Sequence, residues 1–377
     1  MKKVHYIGWY IAEKDIEHYS GNIPGMLKMR YITQKIVEAG KNPTIFSLAN
    51  KNNGCFYKSF HTDDNGIPVL YSGGVHVSGR FSRELNNIVK ELLLVVYCCF
   101  KVKREDTVVL YHSVAYSHLV TRLNRIIKRN VVLEVEEVYG YSATGDNKKS
   151  LESESYSIRN NNKFILINDY VASAYNIPDN KYVPCFGVVN IPQRKVERLN
   201  DGRIHVVYAG TIEGRKQGAY TAVEAAEYLP ENYILHVLGF GKDVHIQMLK
   251  DKIEAINKNR KNPVVEYLGF KSGDELDDFL YSCHIGVSTY VMRDNFANMS
   301  LPSKILTYMC HDLAVVRNYA SAYEDTEIAK YWAFYHDDSP QEISKAIVNV
   351  RIPEIGVNHD FLRKCDERVV GFIKNNC

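Results

Sequence analysis

Short apolar, β-branched runs alternate with longer amphipathic stretches along the whole chain. In the first half the runs VHYIGWY, PTIFSL, TVVLYH, VVLEVE, KFILIN and KYVPC read as strands. Helical periodicity fills the gaps near 26–39, 80–100, 115–129 and 169–175. After a polar stretch the rhythm restarts with RIHVVYAG, YILHVLG, VVEYLG, IGVST and LAVVRN. The helices between these runs fall near 217–229, 242–257, 273–282 and 302–311. Strands separated by helices imply βαβ units and parallel sheet. The expected fold class is therefore α/β, with two Rossmann-like parallel-sheet domains.

The break between the halves is NIPQRKVERLNDG, polar, charged and containing Pro192 and Gly202. It divides the chain into 1–190, a linker at 191–202, and 203–355. The final segment, 356–377, carries apolar positions Phe361, Leu362, Val369, Val370, Phe372 and Ile373. It is expected as a helix packing back towards the N-terminal domain. A chain of 377 residues exceeds one comfortable core, which agrees with two domains.

Charge and cysteine content narrow the class. A net charge of +3 is too balanced for a dedicated nucleic-acid binder. Eight cysteines without a C-x-x-C pair read as reduced thiols, not as a disulfide framework or zinc site. The apolar run at the N-terminus is short and interrupted, so it reads as a first strand and not as a signal peptide. The longest apolar run, IVKELLLVVYCCF at 88–100, is too short to span a bilayer and reads as a buried helix. A cytoplasmic protein is expected. A second reading joins that run to Lys101, Lys103 and Arg104 and to a basic stripe of Arg122, Arg125 and Arg129. Such an apolar and basic surface would give peripheral contact at the inner membrane face.

The candidate chemistry sits just after strands, where open α/β sheets bind ligands. In YAGTIEGRKQG, Gly210 and Thr211 follow a strand, and Arg215 and Lys216 precede a helix. Glycine lets a ligand approach the backbone, and two cations suit a diphosphate. LGFG at 238–241 is a tight strand-to-helix turn containing Gly239. In YLGFKSGDEL, backbone groups of Gly269 and Phe270 can read the edge of a flat ring. FANMSLPSKILTYM opens a helix beside Lys304, with Ser300 or the Asn298 region as cap. A helix start with free N–H groups and a lysine suits a phosphate. In the first half, TVVLYHSVAYSH puts His112 at a strand end, where an imidazole can donate to a substrate or balance phosphate charge. LEVEEVYGYS puts Glu134 and Glu136 on one face and Glu137 on the other.

Taken in order, these segments resemble the GT-B glycosyltransferases, and within them the retaining family four. The resemblance spans the chain and is strongest from Val206 to Val316. It implies two domains facing a cleft, a sugar nucleotide held mainly by the C-terminal one, and no obligatory metal. The donor would be a nucleoside-diphosphate sugar such as a UDP-sugar, with no separate cofactor. The acceptor would be a glycan or lipid-linked sugar in bacterial-type surface polysaccharide synthesis. By resemblance, backbone groups around Met299, Ser300 and Leu301 cradle the diphosphate beside Lys304, with Gly21 and Asn22 facing it across the cleft. Gly239, Gly269, Phe270 and Thr307 fall to the nucleoside. His112 and Glu137 are the catalytic candidates, Glu137 with Tyr139 resembling an E-E-x-Y signature. The chain departs from the pattern where many relatives carry two glutamates: Met299 and Thr307 stand there. Asp312 and Ala314 likewise replace the usual Gly and Pro. A sugar-nucleotide 2-epimerase of the same fold, and a non-catalytic glycan- or partner-binding member, remain as alternatives.

Overall fold

The computed structural model describes residues 2–21, 23–53, 56–141, 147–194, 198–213, 218–289 and 294–377. The chain forms two compact units, one of residues 1–188 with 365–377, the other of 189–364.

The first unit is built on an eight-stranded sheet. From edge to edge its strands are Tyr182–Pro184, Phe164–Leu166, Asn130–Val135, Thr107–Tyr111, Val4–Gly8, Pro43–Ser47, Ile67–Tyr71 and Phe60–Asp64. All neighbours pair in parallel except the last two, which form an antiparallel edge. Val4–Gly8 and Thr107–Tyr111 are buried at every position. Strands covered on both faces read as continuous apolar runs, which is why they stand out in the sequence. The antiparallel pair Phe60–Asp64 and Ile67–Tyr71 does not: FHTDD is an edge strand with no apolar run, IPVLY is interrupted by Pro68, and both went unread. The helix Lys148–Arg159 was missed for a similar reason. Its sequence KKSLESESYSIR has almost no apolar periodicity, and it buries Glu154, Ser157 and Ile158.

The second unit holds a six-stranded parallel sheet. Its order is Val265–Tyr267, Tyr233–Leu238, Ile204–Ala209, Ile285–Ser288, Ala314–Asn318 and Trp332–Tyr335. Two elements beyond the sequence reading complete it: the strand WAFY and the helix Pro340–Asn349, which Ser339 caps by accepting from the Glu342 N–H. Val206, Val207, Leu235, Val237, Val287, Val315 and Val316 are buried between the sheet and its helices.

In both sheets the chain works outward from a central strand, then returns to its other side. The switch falls between Val4–Gly8 and Thr107–Tyr111 in the first unit, and between Ile204–Ala209 and Ile285–Ser288 in the second. At such a point the two connecting loops run apart and leave a crevice beyond the carboxyl ends of the strands.

The helix Ser117–Ile127 corrects the basic stripe. It ends at Lys128, whose left-handed φ of 55° terminates it, so Arg129 lies beyond the helix and is half-buried. Arg122 lies over the Tyr156 ring at 5.4 Å, and Arg125 donates to the Tyr156 hydroxyl at 3.5 Å. The three arginines do not form one solvated row.

Candidate functional site

In the second unit the crevice is made of glycines. The loops after its first three strands are joined through the backbone. The Gly210 N–H donates to the Leu238 carbonyl at 3.0 Å, and the Gly239 N–H donates to the Gly269 carbonyl at 2.9 Å. Gly239 has a φ of 155°, and a Cβ there would lie 1.8 Å from the Gly210 oxygen. No other residue fits that contact. The Tyr267 hydroxyl donates to the Gly239 carbonyl at 2.9 Å and fixes the same turn. Gly269 also has a positive φ, 77°.

The Lys304 ammonium comes to this point from the helix Ser303–Cys310. It lies 3.0 Å from the position a Gly210 Cβ would take and 4.1 Å from the centre of the Tyr208 ring. Gly210 and Lys304, ninety-four positions apart in the chain by their numbers, are thus neighbours. Tyr208, which the sequence reading did not single out, supports the lysine from beneath. Pro302 occupies the cap position of the helix and offers no side-chain acceptor to its N-terminus. Ser300 does not cap it: its hydroxyl donates to the Phe296 carbonyl at 2.6 Å. Nor does Asn298, whose side-chain oxygen accepts from the Ala322 N–H at 2.9 Å. Met299 and Ser300 are buried, and Leu301 is half-buried.

The nucleoside candidates divide. Phe270 is exposed and meets the exposed Phe240 edge to face at 5.4 Å. Two such rings on adjoining loops make an exposed apolar corner, one ring edge-on to the other. Phe240, within the LGFG turn, belongs with the site and was passed over because one phenylalanine in a turn carries no periodic signal. Thr307 turns back on its own helix, its hydroxyl donating to the Ser303 carbonyl at 3.2 Å. Thr211 is half-buried beside Gly210. Arg215 and Lys216 lie outside the described residues, as does Asn22. Asp312 adopts the left-handed φ of 58°, and its carboxylate accepts from the N–H groups of Gly356 at 2.6 Å and Asn358 at 3.1 Å. Those bonds stabilise a turn that glycine usually makes alone.

In the first unit a cavity of about 640 Å³ opens at the switch point. Its walls include Trp9, Gly21, Asn50, Tyr111, His112 and Tyr139. His112 is 1% exposed, and its Nε2 lies 2.7 Å from Glu154 Oε1. Glu154 also accepts from the N–H groups of Tyr139 at 2.8 Å and Gly140 at 2.5 Å. Two backbone N–H groups and the imidazole thus converge on one buried carboxylate, which fixes the orientation of the ring. The other ring nitrogen, Nδ1, is buried without a partner. His112 also stacks on Tyr139, with ring centres 5.6 Å apart. The imidazole is thus oriented from behind, as a positioned acid or base requires. Glu154 was invisible in the sequence because its helix shows no pattern.

The three strand-end glutamates separate. Glu134 is buried and accepts from the Tyr6 hydroxyl at 2.7 Å, and burial pushes its carboxyl up to about 8. Glu136 accepts from the cavity-lining Tyr111 hydroxyl at 2.5 Å. Glu137 is half-buried, and burial, then the neighbouring Glu136 and Glu154, push it up to about 7. Among the described residues no group of three or more His, Cys, Asp or Glu side chains gathers as a metal site.

No protein-family model matches the chain, and no curated protein does. Solved structures do. HepE of Anabaena, solved in complex with UDP, aligns with a TM-score of 0.60 at 12% identity, covering 99% of this chain and 94% of that one. The UDP-forming trehalose-phosphate synthase of Burkholderia xenovorans aligns at 0.64 with 9% identity, covering 100% and 97%. The sucrose-phosphate synthase of Thermosynechococcus elongatus aligns at 0.62 with 11% identity, covering 100% and 95%. The chain therefore has the GT-B fold, two Rossmann-like domains in tandem, as the sequence reading expected.

Proposed function

We propose that this protein is a glycosyltransferase that takes a sugar from a nucleoside diphosphate and passes it to a glycan or lipid-linked acceptor. The observation that carries the reading is the crevice of the second unit. Close-packed glycine turns, an ammonium group and a helix start meet at one topological switch point. Backbone N–H groups and a lysine are what a diphosphate needs, and the exposed Phe240–Phe270 pair offers an adjoining surface for a base. Proteins of the same fold have been solved with UDP, which supports a uridine donor.

On this reading the reaction keeps the anomeric configuration and uses no metal. Lys304, the helix start and the backbone N–H groups stabilise the departing diphosphate as its charge develops. His112, aimed by Glu154, stands in the cavity wall on the side of the transferred sugar or its acceptor. Surface polysaccharide synthesis at the inner face of a membrane is the setting that a lipid-linked acceptor implies.

The test is a transfer assay with a panel of UDP-, GDP- and ADP-sugars, with and without glycan and polyprenyl-linked acceptors. Acceptor-dependent release of nucleoside diphosphate, with sugar in the product, is the expected result. Conversion of UDP-N-acetylglucosamine to a C2 epimer without acceptor would replace the transferase reading by an epimerase. Absence of nucleotide binding would leave the fold and remove the function.

A further inference from the structure

The helix Arg80–Phe100, whose run at 88–100 reads as buried, buries polar side chains. Phe81, Ile88, Leu92, Val96 and Phe100 face out and are exposed, while Asn86 and Lys90 are only 1% and 3% exposed. The Lys90 ammonium donates to the Leu48 and Ala49 carbonyls at 2.5 and 2.8 Å, and to the Ser72 hydroxyl at 3.4 Å. It also lies over the Trp9 ring, 5.7 Å from its centre. Leu48, Ser72 and Trp9 each follow directly on a strand: Pro43–Ser47, Ile67–Tyr71 and Val4–Gly8, which are neighbours in the sheet. One side chain thus joins the carboxyl ends of three strands. Asn86 donates to the Asn50 side-chain oxygen at 2.9 Å, and its own oxygen accepts from the Val75 N–H at 2.9 Å. An apolar side chain at either position would avoid the cost of taking an ammonium or an amide out of water. It would also tie nothing together. Burial pushes Lys90 down to about 7, and either protonation state keeps two N–H donors for the two carbonyls.

What these two side chains grip borders the first unit's cavity. Leu48 and Ala49 lead into the short strand Asn50–Lys51, and among the described residues no backbone N–H reaches their carbonyls, so Lys90 satisfies them. Asn50–Lys51 pairs only with Tyr19–Ser20, antiparallel and apart from the eight-stranded sheet. A pair of two-residue strands does not hold its register alone. Yet it carries Ser20 and Asn50 into the cavity wall, beside Trp9 and Gly21. We propose that Lys90 and Asn86 are positioning residues for this cavity: they fix Trp9 and Asn50 in its wall, so that a sugar ring of the acceptor meets an aromatic face and an amide donor at set places. Asn50 has its oxygen committed to Asn86, which leaves its N–H groups for the hydroxyl oxygens of a sugar. Trp9 is half-buried, with the amine behind it as a fixed contact for the indole. The inference rests on the transferase reading for what enters the cavity; the hold on the wall does not.

Hydrogen exchange of the ligand-free protein tests the hold directly. Lys90→Met should speed exchange at 19–21 and 48–51 by at least about tenfold, with the amides of Val4–Gly8 and Thr107–Tyr111 unchanged. Asn86→Leu should do the same at 50–51, and it carries the test if Lys90→Met does not fold. The kinetic readout uses the acceptor to which the wild type transfers sugar. Either variant should raise the KM for that acceptor about tenfold, the scale of a lost hydrogen bond, while calorimetric affinity for UDP stays unchanged. Asn86→Leu added to Asn50→Ala should raise that KM no further, because Asn86 acts through Asn50. Unchanged exchange at 48–51, exchange speeded equally throughout the unit, or KM effects that add in the Asn50→Ala background would overturn the proposal. If no acceptor in the panel supports transfer, the exchange pattern still decides the hold on the wall, and only the transferase reading falls.

Discussion

Lys304 and His112 mark the two crevices, and each makes a separable prediction. Lys304→Ala should weaken binding of a nucleoside diphosphate by about 1.5–3 kcal/mol, the scale of a charge-assisted hydrogen bond, in calorimetric titration. Unchanged affinity would remove the lysine from the phosphate site. His112→Ala should lower turnover by at least about 100-fold while leaving donor affinity nearly unchanged. Loss of donor affinity at constant turnover would instead make His112 a binding residue. The buried glutamates set a pH signature. The folded protein holds the Glu134 and Glu137 protons more tightly than the unfolded chain, at about 8 and about 7. Their stabilising contribution is complete below the ordinary carboxylate range and is lost as pH rises through those values. Melting temperature should therefore fall between pH 5 and pH 8, and Glu134→Gln, a neutral mimic of the protonated acid, should flatten that fall. A curve of the same slope in the variant would show that Glu134 is ionised in the fold.

At the scale of elements, the loops of the second unit act together because glycine lets them touch. Gly239→Ala would drive a methyl group into the Gly210 carbonyl and demand a φ that alanine avoids. We expect a loss of about 1–3 kcal/mol in stability, with a parallel loss of nucleotide affinity, read by denaturant unfolding and titration. Gly202→Ala, where a Cβ meets nothing within 4 Å, is the comparison for the glycine conformation alone, since its φ is also positive at 85°. Equal effects from the two substitutions would show that backbone strain, not the contact between loops, governs the turn.

At the scale of the whole molecule, the donor's charge is met by protein groups in the proposed mechanism. Transfer activity should survive EDTA and show no requirement for added magnesium or manganese. Complete loss restored by either cation would transfer the leaving-group role to a metal.

The repeating apolar runs determined the α/β class and the parallel centres of both sheets, because strands buried on two faces need nearly every residue apolar; the edge strands Phe60–Asp64 and Trp332–Tyr335, and Ile67–Tyr71 beside the first of them, were not read. Positions just after strands marked Gly210, Gly239, Gly269 and His112 as candidates and a helix start marked Lys304; the structure brings Gly210, Gly239, Gly269 and Lys304 together. What depends on a distant partner was not marked. Glu154 lies on an unpatterned helix and matters only because His112, forty-two residues earlier, meets it. Tyr208 matters through Lys304, and Phe240 through Phe270. The 80–100 helix shows the limit most plainly. Its periodicity declared a helix with an apolar side, but periodicity is blind to direction. Only the tertiary structure decided that Lys90 turns inward to backbone carbonyls and the apolar side faces out. The energy of burying an ammonium group depends on carbonyls that the fold gathers from elsewhere in the chain.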